Sequence, residues 1–386
     1  MPHCSGDETG GESTAREIVF DVKPRFPKPT PFHAALKLRA SELLAGGTRH
    51  ATGRLLTKAA LIMAWFLISY AFLMFVAGSL WTVILGAASL VLAMGGLAFN
   101  VLHDGGHGAF SQRPGVNRTM AMALDLLGGS SFIWKWKHNI LHHTYPNMLG
   151  VDADINLWPL ARVSEEQPRY RIHRFQCWYI WGLYALLPLS WYVGDLKFLV
   201  TRKLSGHPFP RPRGADLAAL IAWKAVFTGW AIGLPLMVHP LSSVITVWLG
   251  CSLALGLVLS IPFQVAHCVT AVGSIRVPQG PQPEWAIHQV QTTANFATGS
   301  RWLTWYLGGL NFQIEHHLFP SIAHIHYPRL SPIVRKVCGQ FGVQYAAYAT
   351  LGEALRSHFD WLRQLGTLTP PHQHPPAFPS STRSGS

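Results

Sequence analysis

Histidine is concentrated in three short clusters: His103-Asp104-Gly105-Gly106-His107, His138-Asn139-Ile140-Leu141-His142-His143 and Gln313-Ile314-Glu315-His316-His317. On a helix the HxxxH spacing stacks two imidazoles on one face, one turn apart, as expected for His103 with His107 and His138 with His142. His143 is rotated by about 100° from His142 and can reach a second metal. Gln313 lies one turn before His316 and His317, and His267 supplies a further imidazole. Imidazole is the commonest metal ligand and suits iron, copper, zinc and nickel. The eight histidines 103, 107, 138, 142, 143, 267, 316 and 317 are too many for one ion and about right for two. A donor set almost free of oxygen favours a redox metal over magnesium or calcium. Iron with open positions binds and reduces O₂. A single HxxxH pair is more often incidental. The weight here comes from three clusters lying just outside apolar runs, where they can converge without burying a ligand in lipid.

The apolar runs that must position them are Ala59–Val76, Ser79–Phe99, Leu217–Val238 and Leu241–Phe263. Each approaches the roughly 20 residues needed to cross a hydrocarbon core of about 30 Å. The short breaks near Gly78 and at His239-Pro240 make two tight hairpins. Lys224 interrupts the third run, so it marks a later helix start or snorkels to the interface. Every other Lys and Arg lies in residues 1–58, 102–215 or 264–386, and neither hairpin turn has one. The positive-inside rule makes the side carrying the termini and the histidines cytosolic. The expected fold is therefore all-α and integral to the membrane: four transmembrane helices in two hairpins with a helical cap. Met120–Trp134 and Trp178–Val193 read as interfacial or re-entrant, and residues 32–56 as a weakly amphipathic surface helix. Residues 1–30 and 368–386 read as flexible tails around a membrane domain at 31–367.

Composition agrees. Apolar residues make up 49% and charged residues only 13%, and 15 Trp, 20 Phe and 10 Tyr suit a membrane interface. With no nucleic-acid motif present, the net charge of +13 points to a membrane surface rather than to nucleic acid. The cysteines at 4, 177, 251, 268 and 338 form no CxxC pair, which argues against a disulfide frame or zinc ribbon.

Metal-bound imidazoles need acceptors for their outer N–H groups. Asp104 and Glu315, inside the boxes, are the favoured candidates, with Asp152, Asp154 and Asn147 behind them. Gln313 is a candidate for either role. His288, Gln289 and Asn295 are expected to line the site, and His324 and His326 to belong to the cap. Trp134, Trp136 and Trp302 read as interfacial anchors, with a tunnel wall as the other role.

The three boxes HDGGH, HNILHH and QIEHH resemble those of membrane fatty acid desaturases. The segments Trp285–Gln289, Gly308–Pro320 and His326–Pro328 are similar to bacterial and front-end acyl desaturases, and the likeness runs from about residue 60 to 350. The resemblance implies a cytosolic cap holding two irons, the eight histidines as ligands, and an acyl tunnel through the cap. Gln313 opening the third box resembles front-end enzymes, which work between an existing double bond and the carboxyl end. That implies Δ5- or Δ6-like insertion of a cis double bond, with O₂ as co-substrate and an acyl-CoA or acyl-lipid substrate. The middle box departs from the pattern, with three residues between His138 and His142 where front-end members often have two. No fused cytochrome b5 domain with an HPGG motif is present in the 386 residues, so electrons are expected from a separate ferredoxin or cytochrome b5. The implied location is a bacterial cytoplasmic membrane. A hydroxylase, ketolase or acetylenase on the same di-iron frame is the alternative. A zinc hydrolase would need fewer histidines and a water-activating acid, and a haem carrier would place paired histidines inside the spans.

Overall fold

The computed structural model describes residues 25–367, apart from 46, 51, 158, 205–206 and 273–282. Four helices are long and apolar enough to cross a membrane: Thr52–Phe75, Leu80–Gly106, Ala215–Leu236 and Leu241–His267. They are the four spans, in order. The tails expected at 1–30 and 368–386 lie outside the described residues except for 25–30.

The first two spans form the expected hairpin. Ser79 caps the second through a reciprocal capping box with Thr82, which satisfies backbone donors at a helix start facing away from the histidines. Along the hairpin, Trp65 donates to Ser89 Oγ at 2.9 Å and Ser69 and Ser89 share a hydrogen bond at 2.7 Å. Small polar pairs of this kind tie helices where surrounding lipid gives no hydrophobic drive. The third span runs through a π-helical stretch, Gly229–Gly233, just before Pro235. Proline lacks an N–H, and the wider turn accommodates the interruption.

Two spans are longer than their apolar runs. The second continues past Phe99 to Gly106 and the fourth past Phe263 to His267. Hydropathy ends where the side chains become polar, but the backbone hydrogen bonds do not. These extensions lift His103 and His267 out at the same end of the bundle.

Lys224 does not snorkel. Its Nζ donates to Asp195 Oδ2 at 2.6 Å and to the Gly128 carbonyl at 2.7 Å, and lies over the Tyr192 ring. Asp195 belongs to a bent pair of helices, Arg171–Ala185 and Leu187–Thr201, which meet at 70°. Pro188 sits in the first turn of the second member, where its missing N–H costs nothing. The pair packs against the fourth span and is not a straight crossing. Residues 114–134 make three short helices and do not span either.

The helix expected on the bilayer surface is shorter and differently placed. Pro31–Leu44 turns Phe32, Leu36 and Ala40 into the protein, mainly against the cap helix Tyr327–Gln340. The cap adds a two-residue antiparallel pairing at 203–204 with 207–208, and a short parallel pairing of Ala294–Phe296 with Ala346–Tyr348. The described residues are thus mostly helical, with the cap on the histidine-bearing end of four spans.

Because Asp195 is mostly buried, removing only its partner strands a carboxylate. Lys224→Met is expected to destabilise the protein by about 3 kcal/mol, read as a lower thermal midpoint in detergent. Adding Asp195→Leu to it should recover most of the loss.

Candidate metal centre

The cap and the span ends bring all eight histidines together. The imidazole nitrogens of His103, His107, His138 and His316 lie within 4.8 Å of one another, as do those of His142, His267 and His317. His143 joins the two sets by grouping with His316 and His317. Its Nε2 faces His316 Nε2 at 3.0 Å, an arrangement suited to two ligands sharing a centre.

Local winding explains the division. Lys135–His142 is π-helical, and so is Ala98–Leu102 immediately before His103. A wider turn changes which neighbours share a face. His138 and His142 still stack, with ring centroids 5.0 Å apart, but His138 points into the first set and His142 into the second. The one-turn spacing of the middle box therefore serves two groups rather than one.

The glycines of HDGGH permit close approach. A Cβ on Gly105 would lie 2.6 Å from Met120 Cβ, and one on Gly106 would lie 2.2 Å from the Trp134 ring. That ring in turn stacks on His138 at 4.5 Å. Only glycine lets the middle box press against the first.

The outer nitrogens of five rings are held. His142 Nδ1 lies 2.9 Å from Asp152 Oδ2 and His138 Nδ1 lies 3.0 Å from Asp154 Oδ2. His317 Nδ1 meets Gln289 Oε1 at 2.9 Å, His267 Nδ1 the Thr292 carbonyl at 3.2 Å, and His316 Nδ1 the Tyr327 hydroxyl at 3.2 Å. The inner nitrogens are not. Nε2 of His107, His138, His142, His267 and His317 is buried without a hydrogen-bond partner among the described residues. Buried polar atoms are rarely left so. A ring fixed at Nδ1, with Nε2 bare and aimed at other bare nitrogens, is the geometry of a metal ligand.

Electrostatics favours neutral imidazole, the form that binds metal. Burial, then the neighbouring imidazoles, lowers His107, His143, His316 and His317 well below the usual histidine value. Burial also lowers His138 despite Asp154. At His142 burial works the same way, but Asp152 outweighs it and raises the ring. Burial alone would raise Asp154, yet Lys137, 2.9 Å away, and His138 hold it well below the carboxylate range.

The orienting acids are not the ones that sequence proximity favours. Asp104 turns away from the boxes and accepts from His324 Nδ1 at 2.8 Å, while Lys58 Nζ sits 3.1 Å from His324 Nε2. Glu315 engages Asn295 Nδ2 at 2.7 Å and the Tyr345 hydroxyl at 2.8 Å, with burial raising its carboxyl to about 7. Asn295 Oδ1 also accepts from the Ile314 backbone, so this knot anchors the start of the helix Gln313–Leu318. Gln313 is buried at its first position. Asn147 donates to the His267 carbonyl at 2.7 Å, and its own N–H donates to Asp152 Oδ2. Gln289 touches an imidazole directly. His288 falls in none of the metal groups and packs against Phe26. Thr292 carried no signal in sequence, since it contributes its backbone, and Tyr327 stood in the family-like segment His326–Pro328 without a role assigned. Trp302 is exposed, as an anchor would be.

The family model described as fatty acid desaturase matches residues 79–349. The chain belongs to the fatty acid desaturase family. It is 37% identical over 352 residues to an sn-1 linoleoyl-lipid 6-desaturase of Synechocystis, covering 89% of this chain and 97% of the relative. A protein of the same description from Arthrospira platensis is 38% identical over 315 residues, 80% of this chain and 84% of the relative. An acyl-lipid (8-3)-desaturase of Physcomitrium patens is 35% identical over 274 residues, 69% of this chain and 57% of the relative. The protein is a membrane-embedded desaturase, an oxidoreductase acting on fatty acyl chains, and its histidine sets fit a metal centre.

In this desaturase Asp152 holds both His142 and the 147–154 loop through Asn147 and Asp154 backbone donors. Asp152→Asn is expected to weaken metal binding by about 10- to 100-fold, read as transition metal per chain across a chelator titration. Asp104→Asn, which touches no box imidazole, should change it far less.

Proposed function

We propose that this chain is an O₂-dependent di-iron acyl desaturase of the front-end type. It would insert a cis double bond at a Δ5- or Δ6-like position of an acyl-lipid or acyl-CoA. The observation that carries the reading is the two converging sets of imidazoles, in which His138, His142, His267 and His317 each have a bare Nε2 and a braced Nδ1. Two sets linked by His143 suit two ions, and an all-imidazole donor set suits iron. The regiochemical reading is supported by Gln313 and by relatives described as an sn-1 linoleoyl-lipid 6-desaturase and a probable Delta(5) fatty acid desaturase.

Bound iron supplies the O₂ reduction that removes hydrogen from an unactivated methylene pair. The chain's own residues do the rest. Asp152, Asp154, Gln289, Tyr327 and the Thr292 carbonyl fix ring orientation. Burial keeps the site dry and most of the imidazoles neutral, His142 beside Asp152 being the exception. A methylene offers no charge to grip, so selectivity rests on holding one carbon pair in place. The asymmetry of Lys and Arg supports a cytosolic site in a bacterial cytoplasmic membrane. Electrons would come from a separate ferredoxin or cytochrome b5, for which the basic cap is a suitable face.

Expression in a host of defined lipid content, with fatty acid profiling, tests this. The expected product is two mass units lighter, with the new double bond on the carboxyl side of an existing one. His142→Ala should abolish it. A product sixteen units heavier would instead mean hydroxylation on the same scaffold.

A further inference from the structure

We propose that the cavity beside the start of the third span receives a membrane phospholipid carrying the acyl chain, with Lys135, Arg211 and Arg213 binding its phosphate. The proposal rests on the desaturase reading above and specifies the form in which substrate arrives.

The cavity has a volume of about 850 Å³. Its inner end is bordered by Gly105, Gly106, Trp134 and Asn139. Asn139 is fixed there by donating to the Gly106 carbonyl at 2.6 Å. Trp134 also contacts His103 and His107, with centroids 6.0 and 5.5 Å apart. One aromatic ring therefore separates the cavity from the first histidine set. The outer wall is Ala219, Leu220 and Trp223 of the third span. Nearby Leu217 and Ile221 are exposed on the same span. The mouth thus lies at the bilayer edge, and an acyl chain already in the membrane can enter without crossing water.

The rim is cationic. Arg49, Arg118, Lys135, Arg211 and Arg213 border the cavity against only Asp125 and Asp216. Arg118 is spoken for by Asp216 at 2.8 Å, and Asp125 accepts from the Ser131 backbone. Lys135, Arg211 and Arg213 are exposed and have no ion pair among the described residues. Arginine forks match phosphate oxygens, and such charge-assisted bonds are strong. Trp136 and Trp223 line the same space and suit the glycerol level of a bilayer. Cations at the mouth and imidazoles past the inner end set a fixed reach from head group to metal. A chain anchored in this way is counted from its carboxyl end.

The test uses the purified full-length protein and two lipids bearing the same linoleoyl chain, phosphatidylglycerol and an uncharged glycolipid. Native mass spectrometry in detergent should show phosphatidylglycerol retained about tenfold more tightly. The double variant Arg211→Ala/Arg213→Ala should lose that preference. Lys336→Ala/Arg356→Ala, which removes the same charge elsewhere, should keep it. In vesicles of each lipid, the first double variant should raise KM for the phosphatidylglycerol-borne chain about tenfold with kcat unchanged, and leave the glycolipid KM alone. Equal retention of the two lipids by the wild type, or a preference surviving in Arg211→Ala/Arg213→Ala, would overturn the proposal. So would linoleoyl-CoA displacing phosphatidylglycerol at equal concentration. Preferential, variant-sensitive retention without any double bond formed would uphold the site and count against the catalytic reading instead.

Discussion

Everything in this molecule turns on keeping unprotonated imidazoles crowded together out of water. A buried ring with one nitrogen braced and the other bare is a poor arrangement for an ordinary protein interior. It becomes favourable only when a cation takes the bare side. The second and fourth spans overrun their apolar lengths to deliver His103 and His267. The loop from Asn147 to Asp154 folds back to hold two rings of the middle box. The knot of Asn295, Glu315 and Tyr345 sets the helix that carries His316 and His317.

Two stretches of π-helix accompany the site, one before the first box and one through the second. A π turn has weaker hydrogen bonding than an α turn and is retained mostly where side chains must be re-aimed. Here the re-aiming divides one six-residue box between two groups of ligands, with His143 between them. The polar interior lower down follows the same economy: Lys224 is tolerated beside lipid because Asp195 and a carbonyl meet it.

The histidine clusters and the spans were legible in sequence because each has its own signal, imidazole spacing in one case and a long apolar run in the other. The bracing acids were among the candidates, but in the wrong order. Asp104 is next to His103 in the chain but follows the helix round to His324, whereas Asp152, ten residues beyond His142, returns through a loop to meet it. Chain proximity misleads wherever a helix turns a neighbour to its other face. The π winding escaped too, since residue spacing was read with an α-helical period. Likewise Phe32, Leu36 and Ala40 mark an amphipathic helix, but the stripe alone does not say whether protein or lipid covers it.

The short links between paired spans, Phe75 to Leu80 and Leu236 to Leu241, leave almost nothing projecting beyond the opposite membrane surface. The described part of the enzyme is consequently one-faced. Proteases or antibodies applied from that far compartment would find, among the described residues, only a few residues of turn, while the histidine sets and the cap lie together at the other end of the spans.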